Sequence, residues 1–156
     1  MTMNDDELLL RGAIELASSA REHGNQPFGA LLADADGNIL LTAENTIHTQ
    51  HDATGHAESN LVRLASSKYS QVELSNFSLY TSTEPCPMCA GAIFWSGIGR
   101  VVYALSEDKF YALSPNSPES LKLGCREVFA RGGRPVVVKG PFLEEEAARV
   151  HAGFWE

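Results

Sequence analysis

The sequence predicts an α/β protein, a three-layer α/β/α sandwich with a central mixed five-stranded sheet. Segments with helical periodicity alternate with short apolar runs, a pattern typical of a sheet covered by helices on both faces. A turn-rich segment, 34–38, separates the first two apolar runs and predicts a hairpin, which makes the sheet mixed. The chain has 156 residues, within the usual range of one domain, so we expect 1–156 to fold as a single unit.

The first half of the chain predicts a helix, a hairpin and a second helix. Apolar residues recur every three or four positions in the helices and follow one another in the strands. Asn4 is placed to cap the first helix and Gly24 to end it. In order, the elements are a helix over 5–23, strands over Phe28–Ala33 and Ile39–Ala43, a polar loop over 44–55 and a helix over His56–Lys68.

The second half predicts three more strands, each followed by a helix. Pro87 suits the first turn of a helix, and Ser117 with Pro118 is placed to begin another after a Ser/Pro-rich loop. The elements are strands over Phe77–Ser82, Arg100–Leu105 and Val136–Lys139 and helices over 87–96, 117–130 and Glu144–His151.

The charge balance disfavours a nucleic-acid partner. The chain has 12 Lys and Arg against 20 Asp and Glu, a net charge of −8, whereas binding a phosphate backbone needs basic groups that displace counterions. Its 44% hydrophobic content is ordinary for a globular protein and excludes a disordered tail. We therefore expect a small-molecule partner.

Nothing in the sequence predicts a membrane span or a secretory signal. No apolar stretch reaches 18 residues, and the first residues are acidic where a signal would be basic. We expect a cytoplasmic protein. In a reducing compartment the Cys86-x-x-Cys89 spacing favours metal or redox chemistry over a structural disulfide.

Two short motifs carry the predicted chemistry, His56-Ala57-Glu58 and Cys86-Pro87-Met88-Cys89. One His and two Cys suit zinc, and three protein ligands leave a fourth position for water, as in catalytic zinc sites. Both motifs lie at predicted helix starts, where the helix dipole favours thiolate. Glu58, two residues beyond the His ligand, can face the water and transfer its proton. This division of roles is that of hydrolytic deamination.

The motifs resemble the zinc signature of the cytidine-deaminase-like superfamily. The similarity runs from Asn25 through Tyr103 and includes Glu-Pro-Cys-Pro-Met-Cys-Ala-Gly-Ala-Ile. Within that superfamily the chain resembles the group of guanine deaminases, cytosine deaminases and tRNA adenosine deaminases. The resemblance implies Zn²⁺ as cofactor, bound by His56, Cys86 and Cys89, with Glu58 as the catalytic acid and base.

The resemblance also implies substrate-binding residues. Asn45 and the backbone of Ala57 would hydrogen-bond the base, Phe28 would pack on it, and Trp95 and Trp155 would line the pocket. Trp155 belongs to a C-terminal segment, 141–156, that is a candidate for closing the pocket. A homodimer is expected as well, for which the apolar segment around 94 and 101 offers surface.

Several substrates and one other class of site stay open. The expected substrate is a small nucleobase or nucleoside. Guanine, converted to xanthine and ammonia, is the first candidate, although 114–117 reads Ser-Pro-Asn-Ser where guanine deaminases resembling this chain have an Asp pair. Cytosine is the runner-up. A tRNA adenosine deaminase is disfavoured by the acidic charge. The alternative without catalysis is a structural zinc module with His48 or His51 as fourth ligand.

Overall fold

A mixed five-stranded sheet lies at the centre of the computed structural model, which describes residues 3–156, with side chains from residue 5 onward. The strands are β1 (Gly29–Ala33), β2 (Ile39–Glu44), β3 (Ser78–Thr83), β4 (Arg100–Leu105) and β5 (Val137–Lys139). Their order across the sheet is β2-β1-β3-β4-β5. β1 is antiparallel to both neighbours, whereas β3, β4 and β5 are parallel. The predicted mixed sheet is confirmed.

Helices connect the strands and cover both faces of the sheet. They are α1 (Met3–Glu22), α2 (Ile47–Gln50), α3 (Ala57–Lys68), α4 (Gln71–Leu74), α5 (Pro87–Ser96), α6 (Glu107–Tyr111), α7 (Cys125–Ala130) and α8 (Glu144–Arg149). None of the described helices is long and apolar enough to cross a membrane.

Alternate residues of the central strands β1 and β3 belong to two separate cores. Along β1, Ala30 and Leu32 pack in the core that includes α3, α5 and α7. Leu31 and Ala33 point to the opposite face and pack in the core that includes α1 and α8. This alternation follows from the two-residue period of a strand, and the two cores give the three predicted layers.

A polar cluster attaches α1 to the sheet. The Asp6 carboxylate accepts a hydrogen bond from the Tyr80 hydroxyl at 2.6 Å and binds Arg100 Nη2 at 2.6 Å. Near the middle of the helix, a Cβ atom on Gly29 would lie 2.5 Å from the Ala13 carbonyl oxygen. The absence of a side chain there lets the helix approach β1 closely.

The structure corrects the sequence prediction after β4. The helix predicted over 117–130 begins only at Cys125. The Ser117 hydroxyl accepts the N–H of Glu119 in a local turn, and the Tyr111 hydroxyl bonds both backbone groups of Leu121. These local bonds compete with helix formation.

Three short helices, α2, α4 and α6, were not predicted, because four or five residues are too few to show a helical period. The predicted Asn4 cap concerns a side chain outside the described residues.

Candidate metal centre and active site

The site forms at one edge of the sheet, where four chain segments meet. Because β3 and β4 are parallel, their carboxyl ends at Thr83 and Leu105 lie side by side, and ligands of α/β proteins commonly bind outside such ends. β1 runs the opposite way, which brings the preceding Phe28 to this edge. β2 ends here too, because Gly29 pairs with Glu44.

Three metal-binding side chains converge at two helix starts. His56 directly precedes α3, Cys86 directly precedes α5, and Cys89 lies in the first turn of α5. His56 Nδ1 lies 3.4 Å from Cys86 Sγ and 3.5 Å from Cys89 Sγ. All three donor atoms lie within 4.8 Å of one another. Tetrahedral zinc, with bonds of about 2.1 Å to nitrogen and 2.3 Å to sulfur, would place N and S about 3.6 Å apart. The residues therefore fit zinc.

The group has three protein ligands within the described side chains. His48 Nδ1 lies 3.3 Å from the Gly24 carbonyl oxygen, and His51 is exposed. Neither histidine completes the four-ligand structural site that the sequence left open. Three ligands are the pattern of a catalytic zinc site with one open position.

Hydrogen bonding in the site favours the thiolate form of Cys86 and, through the same bond, the thiol form of Cys89. A hydrogen bond from Cys89 lowers the pKa of the Cys86 thiol to about 4, with help from His56 and against the effect of burial. The hydrogen bond with Cys86 in turn raises the pKa of His56. Since thiolate is the form of cysteine that binds metals, the Cys86 sulfur is ready for that role.

Glu58 lies beside the ligands without joining them. It is the second residue of α3, is 5% exposed and lines the same cavity as His56 and Cys86. Burial, followed by the negative charge of Cys86, raises the pKa of Glu58 to about 7 despite the opposing effect of His56. A buried carboxyl group at this place can accept and release a proton close to a metal-bound ligand.

A cavity of about 160 Å³ opens at the metal ligands. Three aromatic rings form one wall, those of Phe28, Phe110 and Trp155. Segments that follow β3 and β4 form another, with Thr83, Glu84, Glu107, Ser114, Ser117 and Ser120. The arrangement suits a flat, polar ring placed against the metal centre.

The family model for the cytidine and deoxycytidylate deaminase zinc-binding region matches residues 3–105. The chain belongs to this deaminase family. Its members are enzymes that hydrolyse C–N bonds of nucleobases or nucleosides, so the protein is a zinc-dependent nucleobase or nucleoside deaminase.

Relatives of this deaminase act on different substrates. "Probable cytosine deaminase" of Schizosaccharomyces pombe is 39% identical over 153 residues, which cover 97% of this chain and 93% of that one. The tRNA-specific adenosine deaminase of Haemophilus influenzae is 41% identical over 108 residues, covering 69% and 62% of the two chains. The structure of guanine deaminase from Nitrosomonas europaea superposes with a TM-score of 0.75 at 25% identity, over 90% of this chain and 79% of that one.

Asn45 and Ala57 are buried beside the deaminase site, and neither is among the residues that line its cavity. Asn45 follows β2, and its Oδ1 accepts the N–H of Ile47 at 3.1 Å. Its Nδ2 is buried and has no partner within the described residues. Ala57 is the first residue of α3, between His56 and Glu58, where a helix leaves its N–H free. Both residues thus have a donor available to a ligand.

Trp95, in contrast, does not lie at this cavity. It is nine positions beyond Cys86, and a helix rises about 13 Å over nine residues. Its side chain is 77% exposed and lines a separate depression together with Val72 and Phe94. Within the described chain Trp95 therefore lies outside this cavity, and a role for it in substrate binding stays a prediction.

Sequence reasoning missed several residues of the cavity. Phe110, Glu107 and the serines of 114–120 lie in a segment that was expected to be a plain loop and a helix. The cap Ser106 followed by two acidic residues was the available signal for α6. No role was predicted for His151 from the sequence, yet it is 3% exposed and hydrogen-bonded to Trp155.

Proposed function

We propose that this deaminase acts on a free nucleobase, with guanine as the first candidate substrate and xanthine and ammonia as products. The observation that carries the proposal is the small cavity that joins the metal ligands, Glu58 and the aromatic wall. Its volume of about 160 Å³ is below the range of about 300 to 1,000 Å³ found for sites of drug-sized ligands. A single base suits it better than a larger ligand.

The charge of the lining supports a neutral, uncharged ligand. Four carboxylate residues line the cavity, Glu58, Glu84, Glu107 and Glu119, and the lining residues described include no Lys or Arg. A phosphate group would meet negative charge there without a basic partner. This argues against a nucleotide and, together with the net charge of −8, against tRNA.

The aromatic wall supports a planar substrate. Phe28 contacts Phe110 edge to face, with ring centroids 5.4 Å apart, and its centroid lies 6.1 Å from that of Trp155. Aromatic rings pack favourably on one another in such offset and edge arrangements. A purine or pyrimidine placed against these rings would present its edges to the polar groups of the cavity.

Unpartnered polar atoms around the cavity match the edges of guanine. Glu107 Oε2 and Ser120 Oγ belong to residues that line the cavity, and both are buried without a hydrogen-bond partner in the described chain. Asn45 Nδ2 is unpartnered as well, although Asn45 itself lies outside the lining. Guanine has a carbonyl oxygen that can accept from an amide and ring N–H groups that can donate to a carboxylate. Since an unpaired buried polar atom costs free energy, a bound base that pairs with these atoms would gain affinity.

The proposed chemistry divides between the metal ligands and Glu58. His56, Cys86 and Cys89 would hold the zinc, which when bound would supply a Lewis acid that makes a nearby water molecule more acidic. Glu58 takes a proton from the attacking water and delivers it to a ring nitrogen, and the second proton of the water reaches the leaving amine. A C–O bond forms where the C–N bond breaks, so the base and water yield the oxo base and ammonia.

Cytosine is the second candidate. Two observations favour it: the Schizosaccharomyces pombe relative matches over almost its whole length, and 114–117 lacks the Asp pair of guanine deaminases that the chain resembles. A pyrimidine also presents a carbonyl oxygen and a ring N–H to the same unpartnered atoms.

An ammonia-release screen tests the proposal. Guanine, cytosine, adenine, isocytosine and their nucleosides are compared at equal concentration, with zinc content measured alongside. We expect a free base, guanine first, to be turned over faster than its nucleoside, and Glu58→Gln to keep its zinc while losing at least about a hundredfold in kcat. Turnover of nucleosides alone contradicts the free-base proposal, and wild-type turnover by Glu58→Gln contradicts the mechanism.

Two further expectations remain proposals. We propose that 141–156 closes the cavity of its own chain through Trp155, and that two chains pair as a homodimer. The surface proposed for the dimer differs from the one predicted from the sequence, because Val101 is buried inside the sheet and cannot form an interface. The exposed Trp95 and Val72, each 77% exposed, offer an apolar surface instead.

A cytoplasmic location stays a prediction from the sequence.

A further inference from the structure

His151 lies directly behind the aromatic wall of the cavity. It follows α8 in the C-terminal segment, and its side chain is almost completely buried. Its ring centroid lies 5.4 Å from that of Phe28, 5.5 Å from that of Phe110 and 6.1 Å from that of Trp155. One imidazole ring therefore contacts each of the three rings that form this wall.

The imidazole accepts a hydrogen bond from one of these rings. Trp155 Nε1 lies 2.9 Å from His151 Nδ1. An indole N–H can only donate, so Nδ1 accepts and the neutral imidazole carries its proton on Nε2. Burial, with a smaller effect of the Arg21 charge, lowers the pKa of His151 to about 4. The ring is therefore neutral near pH 7 and keeps its acceptor.

The second nitrogen argues against a packing role alone. His151 Nε2 is buried and has no hydrogen-bond partner in the part of the chain that the structure describes. An unpaired buried N–H costs free energy, which a phenylalanine at this position would avoid. What phenylalanine could not supply is the acceptor for Trp155. The hydrogen bond, not the ring volume, is the specific contribution of the histidine.

The backbone on both sides of His151 is held in place. Arg21 Nη1 on α1 donates to the Val150 carbonyl oxygen at 2.9 Å and to that of Ala152 at 2.7 Å. The same guanidinium lies 5.4 Å from the centre of the Phe154 ring. With its backbone attached to α1, His151 has a defined position from which it can orient the indole.

We propose that His151 is a positioning residue, which holds the Trp155 indole in place as a wall of the base-binding cavity. The inference rests on the proposed function, because it assigns that wall to a bound base. An indole that is ordered before the base arrives loses less side-chain freedom on binding. Removal of the acceptor should therefore weaken binding of the base more than it slows the chemical step.

His151→Phe tests the role, because it keeps a flat ring and removes the acceptor. We expect KM for the best base of the screen to rise about tenfold, the effect of one lost hydrogen bond, with kcat changed less than about twofold and zinc content unchanged. His151→Gln, whose amide oxygen can accept from the indole, should recover part of the affinity. An unchanged KM in folded His151→Phe overturns the proposal.

A second readout does not depend on turnover. The indole N–H signal of Trp155, assigned by its loss in Trp155→Phe, should exchange slowly with water in the wild type and at least about ten times faster in His151→Phe. Equal exchange rates overturn the proposal. If the wild type deaminates no base, the proposed function fails, whereas the exchange rates still decide whether His151 holds the indole.

The two residues should also act as a unit. In the double variant His151→Phe with Trp155→Phe, KM should equal that of Trp155→Phe alone, because the donor is already gone. Additive effects would overturn the coupling. Should His151→Phe not fold, Trp155→Phe removes the donor instead, and an unchanged KM in that variant also overturns the proposal.

Discussion

The Glu84 carboxylate accepts a hydrogen bond from the backbone N–H of Glu107, with 3.0 Å between Oε1 and nitrogen. Its other oxygen accepts the N–H of Cys125, also at 3.0 Å. Glu107 begins α6 and Cys125 begins α7, whereas Glu84 lies two residues before the metal ligand Cys86. One side chain thus connects the metal-binding segment with the two helix starts that follow β4.

Glu84→Gln should destabilise the protein and weaken substrate binding. The glutamine side chain keeps one oxygen that can accept from one of the two backbone N–H groups, those of Glu107 and Cys125. Its NH₂ group faces the other N–H, which is left without an acceptor. We expect the free energy of unfolding to fall by about 1–3 kcal/mol, measured by urea denaturation, and KM to rise. Glu119→Gln removes the same charge from an exposed carboxylate of the same cavity. Equal losses in the two variants would show that charge, not the bonds of Glu84, is responsible.

Removal of one metal ligand should remove the metal. We expect Cys86→Ser to lose most of the bound zinc, because a serine hydroxyl ionises far less readily than a cysteine thiol, whose thiolate form this site stabilises. Zinc is measured by atomic spectroscopy on the purified protein, and the wild type should hold about one ion per chain. Cys125→Ala is the control, since Cys125 is buried in the core beside α5. Retention of zinc by Cys86→Ser would contradict the ligand assignment.

The Asp6 cluster should make the free energy of unfolding depend on pH in the acidic range. Burial alone would raise the pKa of Asp6, but hydrogen bonds from Arg100 and Tyr80 outweigh it and lower the pKa below the ordinary value of 3.8. The folded state thus binds the proton more weakly than the unfolded state. The contribution of Asp6 is fully present above about pH 4 and is lost as pH falls through the folded pKa.

Asp6→Asn should remove this dependence. We expect the variant to lose about 1.5–3 kcal/mol at pH 7 and to differ less from the wild type as the pH approaches 2, in urea denaturation at several pH values. Asp36→Asn, in an exposed turn, should change stability little at any pH. A constant difference between Asp6→Asn and wild type over this range would contradict the role of the Asp6 charge.

Trp95→Glu should separate the proposed homodimer. Trp95 is 77% exposed, and a charge there would be buried without a partner if a second chain covers the surface. We expect the wild type to sediment as a dimer and the variant as a monomer in analytical ultracentrifugation. Leu8→Glu changes a 67% exposed residue on α1 in the same way and should stay dimeric. A monomeric wild type would exclude the dimer.

The metal site was predictable because its ligands lie in short, local motifs. His56 and Cys86 each directly precede a helix, and the three-residue step from Cys86 to Cys89 is close to one helical turn. Local geometry therefore places the two sulfur atoms on the same side of α5. The strands were predictable for a similar reason, since their apolar runs are continuous. Trp95 shows where this logic stops, because a residue in the same helix as Cys89 lies at its far end.

The sequence by itself predicted the layers of the fold, the zinc ligands and Glu58 as the candidate for proton transfer, because these follow from periodicity and short spacing. Only the tertiary structure decided which distant segments surround the substrate. Glu107, Phe110 and His151 reach the cavity through strand order and through loop contacts between residues far apart in the chain. Such contacts have no period and no fixed spacing, so they become visible only once the chain is folded.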